Sequence, residues 1–252
     1  MTGALLDFLL PPACAACGGA LAHTRGRARP RICPRCATRV KAPPRPRCRR
    51  CGAPRGTGVP VDRPCLECED WPGVVRIARS AVMLAPPADR LVHSFKYEGW
   101  EELAGEMASR MIRVELPGHW WSEDVPLVPV PTTRRRRRIR GYNQASVLAS
   151  AVAEETGAPV VRALVRDDEG GSQVSLHPAE RRANVSGAFS LASGAASSLR
   201  DGRAILIDDV LTTGATAVAA SRVLEAGGAR EVAVLTFARS LPDRGVAEGQ
   251  PN

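Results

Sequence analysis

Two groups of residues in this 252-residue chain have the types and spacing to do chemistry. The first is the cysteines. All eight fall in Cys-x-x-Cys pairs: Cys14/Cys17, Cys33/Cys36, Cys48/Cys51 and Cys65/Cys68. The first pair of each half runs into glycine, as Cys14-Ala-Ala-Cys17-Gly18 and Cys48-Arg-Arg-Cys51-Gly52. A two-residue gap turns both thiolates inward on one knuckle, and two knuckles complete a tetrahedral four-sulfur site for Zn²⁺. The repeated unit favours sequential over interleaved pairing. Two such sites are closed, so their role is structural. His23 lies between two pairs and is a spare ligand at most. Disulfides are the rival reading and need an oxidising compartment. A redox Cys-x-x-Cys would account for one pair, not four.

The second group is a strand, an acid pair and a hydroxyl-rich loop: Ala204-Ile-Leu-Ile-Asp208-Asp209-Val210-Leu211-Thr212-Thr213-Gly214-Ala215-Thr216. An apolar strand delivers Asp208 and Asp209 at its carboxyl end, where open α/β sheets hold their ligands. The loop then opens into a helix, whose first N–H groups and dipole hold phosphate. The Thr212, Thr213 and Thr216 hydroxyls add donors, and Gly214 permits close backbone approach. The carboxylates accept from ribose hydroxyls. A sugar with a terminal phosphate and free 2′ and 3′ hydroxyls fits both halves together.

The elements that must position these groups change character near residue 70. Residues 1–70 carry all the cysteines and read as a double zinc-ribbon domain. Residues 71–240 alternate strand-like and helix-like segments of an α/β domain. Strands are expected over 77–84, 127–130, 160–165, 188–191, 204–207 and 231–237. Helices are expected over 88–97, 101–114, 142–156, 177–184 and 216–226. Residues 241–252 read as a disordered tail. No apolar run reaches the roughly 18 residues of a membrane span. Residues 4–10 are short, contain Asp7 and lack a basic flank, so they read as a capping helix rather than a secretory signal.

The formal charge of +9 is concentrated in the first 70 residues, which hold 13 basic against 5 acidic side chains, or +8. Two zinc ions on eight thiolates would bring that part to about +4. Only Lys41 and Lys96 are lysines. Arginine-rich, alanine-rich composition is the plain explanation, so charge by itself selects no partner.

The acid–threonine segment resembles the 5-phosphoribosyl pyrophosphate (PRPP) motif of type I phosphoribosyltransferases. The wider chain resembles the ComF (GntX-like) family through the paired ribbons and several further matches. These are Ser94-Phe95-Lys96-Tyr97, Val128-Pro-Val-Pro131, Arg140-Gly-Tyr-Asn-Gln144, Gln173 and Arg182-Ala-Asn184-Val185. The resemblance implies a mostly parallel sheet flanked by helices, and PRPP held with Mg²⁺ by residues 208–216, with Asp208 and Asp209 as catalytic acids. It places Pro131, Thr132 and Arg134 in a pyrophosphate loop. Residues 166–182 would form a closing flap, with Gln173, Arg181 and Arg182 in it; exposed helix charge is the competing reading of Arg181. It further implies a cytoplasmic PRPP-binding protein, a glycosyltransferase by fold, that acts in natural competence; the alternative is an active phosphoribosyltransferase on an unidentified base or amine in nucleotide metabolism, unrelated to DNA uptake. Its expected partners are single-stranded DNA, a DNA-uptake helicase and a second copy of the chain as a homodimer.

Arg134, Arg135, Arg136, Arg137 and Arg138 are consecutive, and Arg140 adds a sixth. Six close cations call for an anion. Pyrophosphate, a nucleic-acid backbone, or simply solvent on a basic loop are the three readings. Single strands also want aromatic platforms, but Trp71, Trp100, Trp120 and Trp121 read mainly as core or as a contact to the acceptor. No pattern names the acceptor that would attack the ribosyl centre.

Overall fold

The computed structural model describes residues 12–21, 31–166, 188–199 and 202–241. The expected capping helix at 4–10, His23, the flap with Gln173, Arg181 and Arg182, and the tail from 242 lie outside them.

Four parallel strands form the main sheet in the order β1 (Val75–Met83), β6 (Glu231–Arg239), β5 (Arg203–Leu211), β2 (Leu127–Pro129). β5 and β6 are central, and their apolar runs serve both faces. Ile205, Ile207, Ala233 and Leu235 join one core cluster, while Ala204, Leu206, Val232 and Val234 join the other. The two-residue period of a strand makes that division.

On the first face lie α2 (Ala88–Tyr97), α3 (Leu103–Met111) and α5 (Gln144–Thr156). In α2 the buried side chains are Ala88, Leu91, Val92, Ser94 and Phe95, the helical spacing of one face. Full burial of Phe95 contributes about 1.5–3 kcal/mol. On the second face lie α6 (Ala215–Ala226) and an antiparallel pair, β3 (Leu164–Arg166) with β4 (Phe189–Leu191).

The cysteine modules straddle this sheet at the β1 edge. The first module, with α1 (Pro34–Arg39), packs on the first face, where Ser94 Oγ donates to Ala15 O at 2.9 Å. The second packs on the other face. The chain between them runs along β1: Met83 N donates to Lys41 O and Ala78 N to Arg50 O, at 2.8 and 2.7 Å. An open sheet edge is thereby covered.

Two expectations need correction. The strand expected over 160–165 is reduced to β3 at its far end, with Val160 making one bridge to Leu127. Pro159 lacks the N–H that would extend the ladder. Residues 134–140, for which a solvated basic loop was one reading, form helix α4 (Arg134–Arg140). Thr133 Oγ1 caps it by accepting from Arg136 N, and Gly141 ends it at φ +83°. Arginine is a good helix former, so local caps outweigh the like charges. Trp120, read mainly as core, sits in a short 3₁₀ turn (Gly118–Trp120) and is buried.

Candidate functional site

Each set of four cysteines converges. Cys14, Cys17, Cys33 and Cys36 bring their sulfurs within 4.8 Å of one another, and so do Cys48, Cys51, Cys65 and Cys68. Pairing is therefore sequential. Zn–S bonds of about 2.3 Å in a tetrahedron place sulfurs about 3.8 Å apart. The observed separations are 3.9 Å for Cys17–Cys33, 3.8 Å for Cys48–Cys68 and 3.4 Å for Cys51–Cys65. The donor set thus fits structural zinc. The knuckles also repeat: Cys14 O accepts from Gly18 N at 2.8 Å and Cys48 O from Gly52 N at 2.9 Å. Both glycines sit at φ +71°, a conformation that excludes most side chains.

Asp208 and Asp209 lie inside β5, one on each face of the strand. A polar cavity of about 110 Å³ at the carboxyl end of the sheet reaches both. Lys96 from α2 closes it on the Asp209 side, with Nζ 3.0 Å from Asp209 Oδ1. Arg166 of β3 enters the same cavity, as do Pro131 and Thr132 after β2 and Thr216 in the first turn of α6. Burial, and then the neighbouring Asp209 carboxylate, push the Asp208 carboxyl from its ordinary 3.8 up to about 7. Asp208 Oδ1 accepts from Asp209 N at 2.8 Å.

The arginine helix divides in two. Arg136 and Arg140, four apart and hence on one face, line the cavity. Arg140 donates to Gln144 Oε1 and to Tyr97 OH, both at 3.0 Å, and its guanidinium lies 4.8 Å from the Tyr97 ring centre. Residues 134, 135, 137 and 138 are exposed and do not line it. Gln144 is 2% exposed, and its Nε2 has no close hydrogen-bond acceptor among the described residues although the side chain faces the cavity. A buried orphan donor costs about 1–3 kcal/mol. A ligand oxygen would relieve it.

Of the expected phosphate-loop residues, Thr216 joins Asp208 and Asp209 in the cavity wall. Thr212 and Thr213 are exposed beside it, and Thr213 Oγ1 accepts from Ala215 N at 3.4 Å. Val210, Leu211, Gly214 and Ala215 build the turn without lining the cavity. Lys96, Asn143, Gln144 and Arg166 were not singled out as site residues from the sequence. Lys96 carried a usable signal, as one of two lysines in an arginine-rich chain. The four tryptophans offer no open stacking platform: Trp71 and Trp120 are buried, and Trp100 and Trp121 pack partly buried against the core.

A model of the double zinc ribbon domain matches residues 5–69. Competence protein F of Haemophilus influenzae is 29% identical over 233 residues, covering 86% of this chain and 96% of that one. The DNA utilization protein YhgH of Salmonella typhi is 29% identical over 199 residues, covering 77% and 84%. Among solved structures, a glutamine PRPP amidotransferase from B. subtilis is 22% identical with a TM-score of 0.34. It covers 57% of this chain, which spans about a quarter of its length (26%). The chain thus carries a double zinc ribbon at its start and is similar to competence protein F and YhgH along most of its length.

Proposed function

We propose that this chain binds PRPP with Mg²⁺ at the β5–α6 turn and serves the handling of single-stranded DNA in the cytoplasm during natural competence. One observation carries the reading. Two adjacent carboxylates, four cations (Lys96, Arg136, Arg140, Arg166) and the start of α6 meet in one polar cavity. Carboxylates suit ribose hydroxyls, whereas cations and helix N–H groups suit phosphates. The orphaned Gln144 Nε2 supports a missing acceptor. Asp208 and Asp209 provide the oxygen donors that Mg²⁺ takes alongside substrate phosphates. When bound, that ion supplies charge neutralisation for the pyrophosphate.

Names among the relatives support the DNA side of the reading: competence protein F and DNA utilization protein YhgH. Residues 134, 135, 137 and 138 are exposed and turned from the cavity. They suit a phosphodiester backbone. No helix among the described residues is long and apolar enough to cross a membrane.

A second reading is transfer of the phosphoribosyl group to a nitrogen acceptor. Asp208 favours it, because a carboxyl held at about 7 exchanges its proton near neutrality. Such a group can receive or return a proton beside the ribose. Arg136 and Arg140 would then stabilise the leaving pyrophosphate.

Calorimetric titration with Mg-PRPP tests the site. Asp208→Asn/Asp209→Asn should weaken binding by about 100-fold, the loss of two charge-assisted hydrogen bonds. Equal affinity in that double variant would refute the assignment.

A further inference from the structure

The ribbons sit next to the phosphate turn, and one side chain joins them. Gly214 is the N-cap of α6, at φ +81°. A Cβ there would stand 2.5 Å from Trp71 Cζ2, 3.0 Å from Cε2 and 3.2 Å from Nε1. The indole therefore stands directly against the backbone of the turn. Trp71 itself is 9% exposed and packs with Cys48, Cys51 and Cys68.

Trp71 follows the ligand Cys68 by three residues and is tied to its knuckle. Its N–H donates to Cys68 O at 3.2 Å. Arg50, between Cys48 and Cys51, donates to Cys68 O at 3.0 Å, Trp71 O at 2.9 Å, Pro72 O at 2.7 Å and Val75 O at 3.1 Å. One guanidinium thus gathers four carbonyls around the stem of Trp71. From the sheet, buried Arg239 at the end of β6 donates to Cys51 O at 2.8 Å. The second module is anchored both to the strand beside β5 and, through the indole, to the turn after β5. The first module packs on α2 and α3 and has no such contact among the described residues.

We propose that Trp71 is a positioning residue through which the second four-cysteine module sets the phosphate-binding turn at Gly214. The inference rests on the PRPP reading of that turn. Helix N–H groups bind phosphate productively only when held within about 0.5 Å. The turn has exposed threonines on its outer side and the Trp71 indole as its inner support. Removing the indole frees the backbone to shift without touching any side chain that faces ligand. Misplacement of about 1 Å costs up to about 100-fold.

The test compares wild type, Trp71→Ala and Trp71→Phe as full chains with bound zinc measured. Mg-PRPP affinity should fall about tenfold or more in Trp71→Ala and stay within about threefold in Trp71→Phe. Zinc content and helical circular dichroism should be the same in all three. Wild-type affinity in a folded, zinc-loaded Trp71→Ala would overturn the inference. Should that variant not fold, intrinsic fluorescence decides. PRPP should perturb wild-type emission, and Trp71→Phe, which keeps Trp100, Trp120 and Trp121, should lose the change. An unaltered change in Trp71→Phe would overturn it equally. A wild type that ignores PRPP removes the PRPP reading together with this one. Wild type that binds, an inert Asp208→Asn/Asp209→Asn and an unaffected Trp71→Ala would remove this inference alone.

Discussion

Replacing Asp208 by asparagine should stabilise the folded chain while weakening its ligand binding. The Asp208 carboxyl is held at about 7 against an ordinary 3.8. Between those values the folded state keeps a proton that the unfolded state has released. Stability therefore falls as pH rises through this window, and the cost is complete above it. At most it is about 4 kcal/mol. Solvent at the opening of the cavity screens it, and about 2 kcal/mol is the expected size. Asparagine is neutral at every pH and its Oδ1 can still accept from Asp209 N. Urea denaturation at fixed zinc should find Asp208→Asn more stable by about 1 kcal/mol at pH 5.5 and about 2 kcal/mol at pH 8. The second figure corresponds to roughly 4–8 °C in Tm for a chain of this size. A variant less stable than wild type, or a gap that does not widen with pH, would refute the electrostatic account of the acid pair.

Metal analysis should return two zinc ions per chain, and one or none would overturn the paired-ribbon geometry. Because both modules share the cores of the sheet, chelation should lower Tm by more than about 10 °C, given site energies of about 10 kcal/mol; an unchanged melt would show that the modules do not hold the fold. Changing Arg135, Arg137 and Arg138 to glutamine should flatten the log–log salt dependence of single-stranded DNA binding by about 2, at about 0.7 per phosphate contact. An unchanged slope in gel shifts across a salt series would remove that face of α4 from DNA binding.

Some of this was legible residue by residue. The Cys-x-x-Cys-Gly repeat contains its own geometry, since knuckles are local and their glycines need φ near +71°. The strand at Ala204, the acids and the helix opening after Gly214 follow one another along the chain, so their order alone predicts the turn. The expected helix at 88–97 is reproduced as α2 (Ala88–Tyr97) because its apolar positions repeat at helical spacing. The helix of the arginine run was not legible, since it depends on caps at Thr133 and Gly141 rather than on apolar periodicity.

The primary sequence by itself determined the two four-sulfur sites, the parallel α/β domain and the acid–threonine turn, because each is written in contiguous residues with a fixed period or spacing. Only the tertiary structure decided which cations meet the acids. Lys96, Arg136, Arg140 and Arg166 come from three separate segments, and their convergence depends on strand order and helix packing. The contact of Trp71 with Gly214 is of the same kind: 143 residues separate them, and packing against the sheet brings them together.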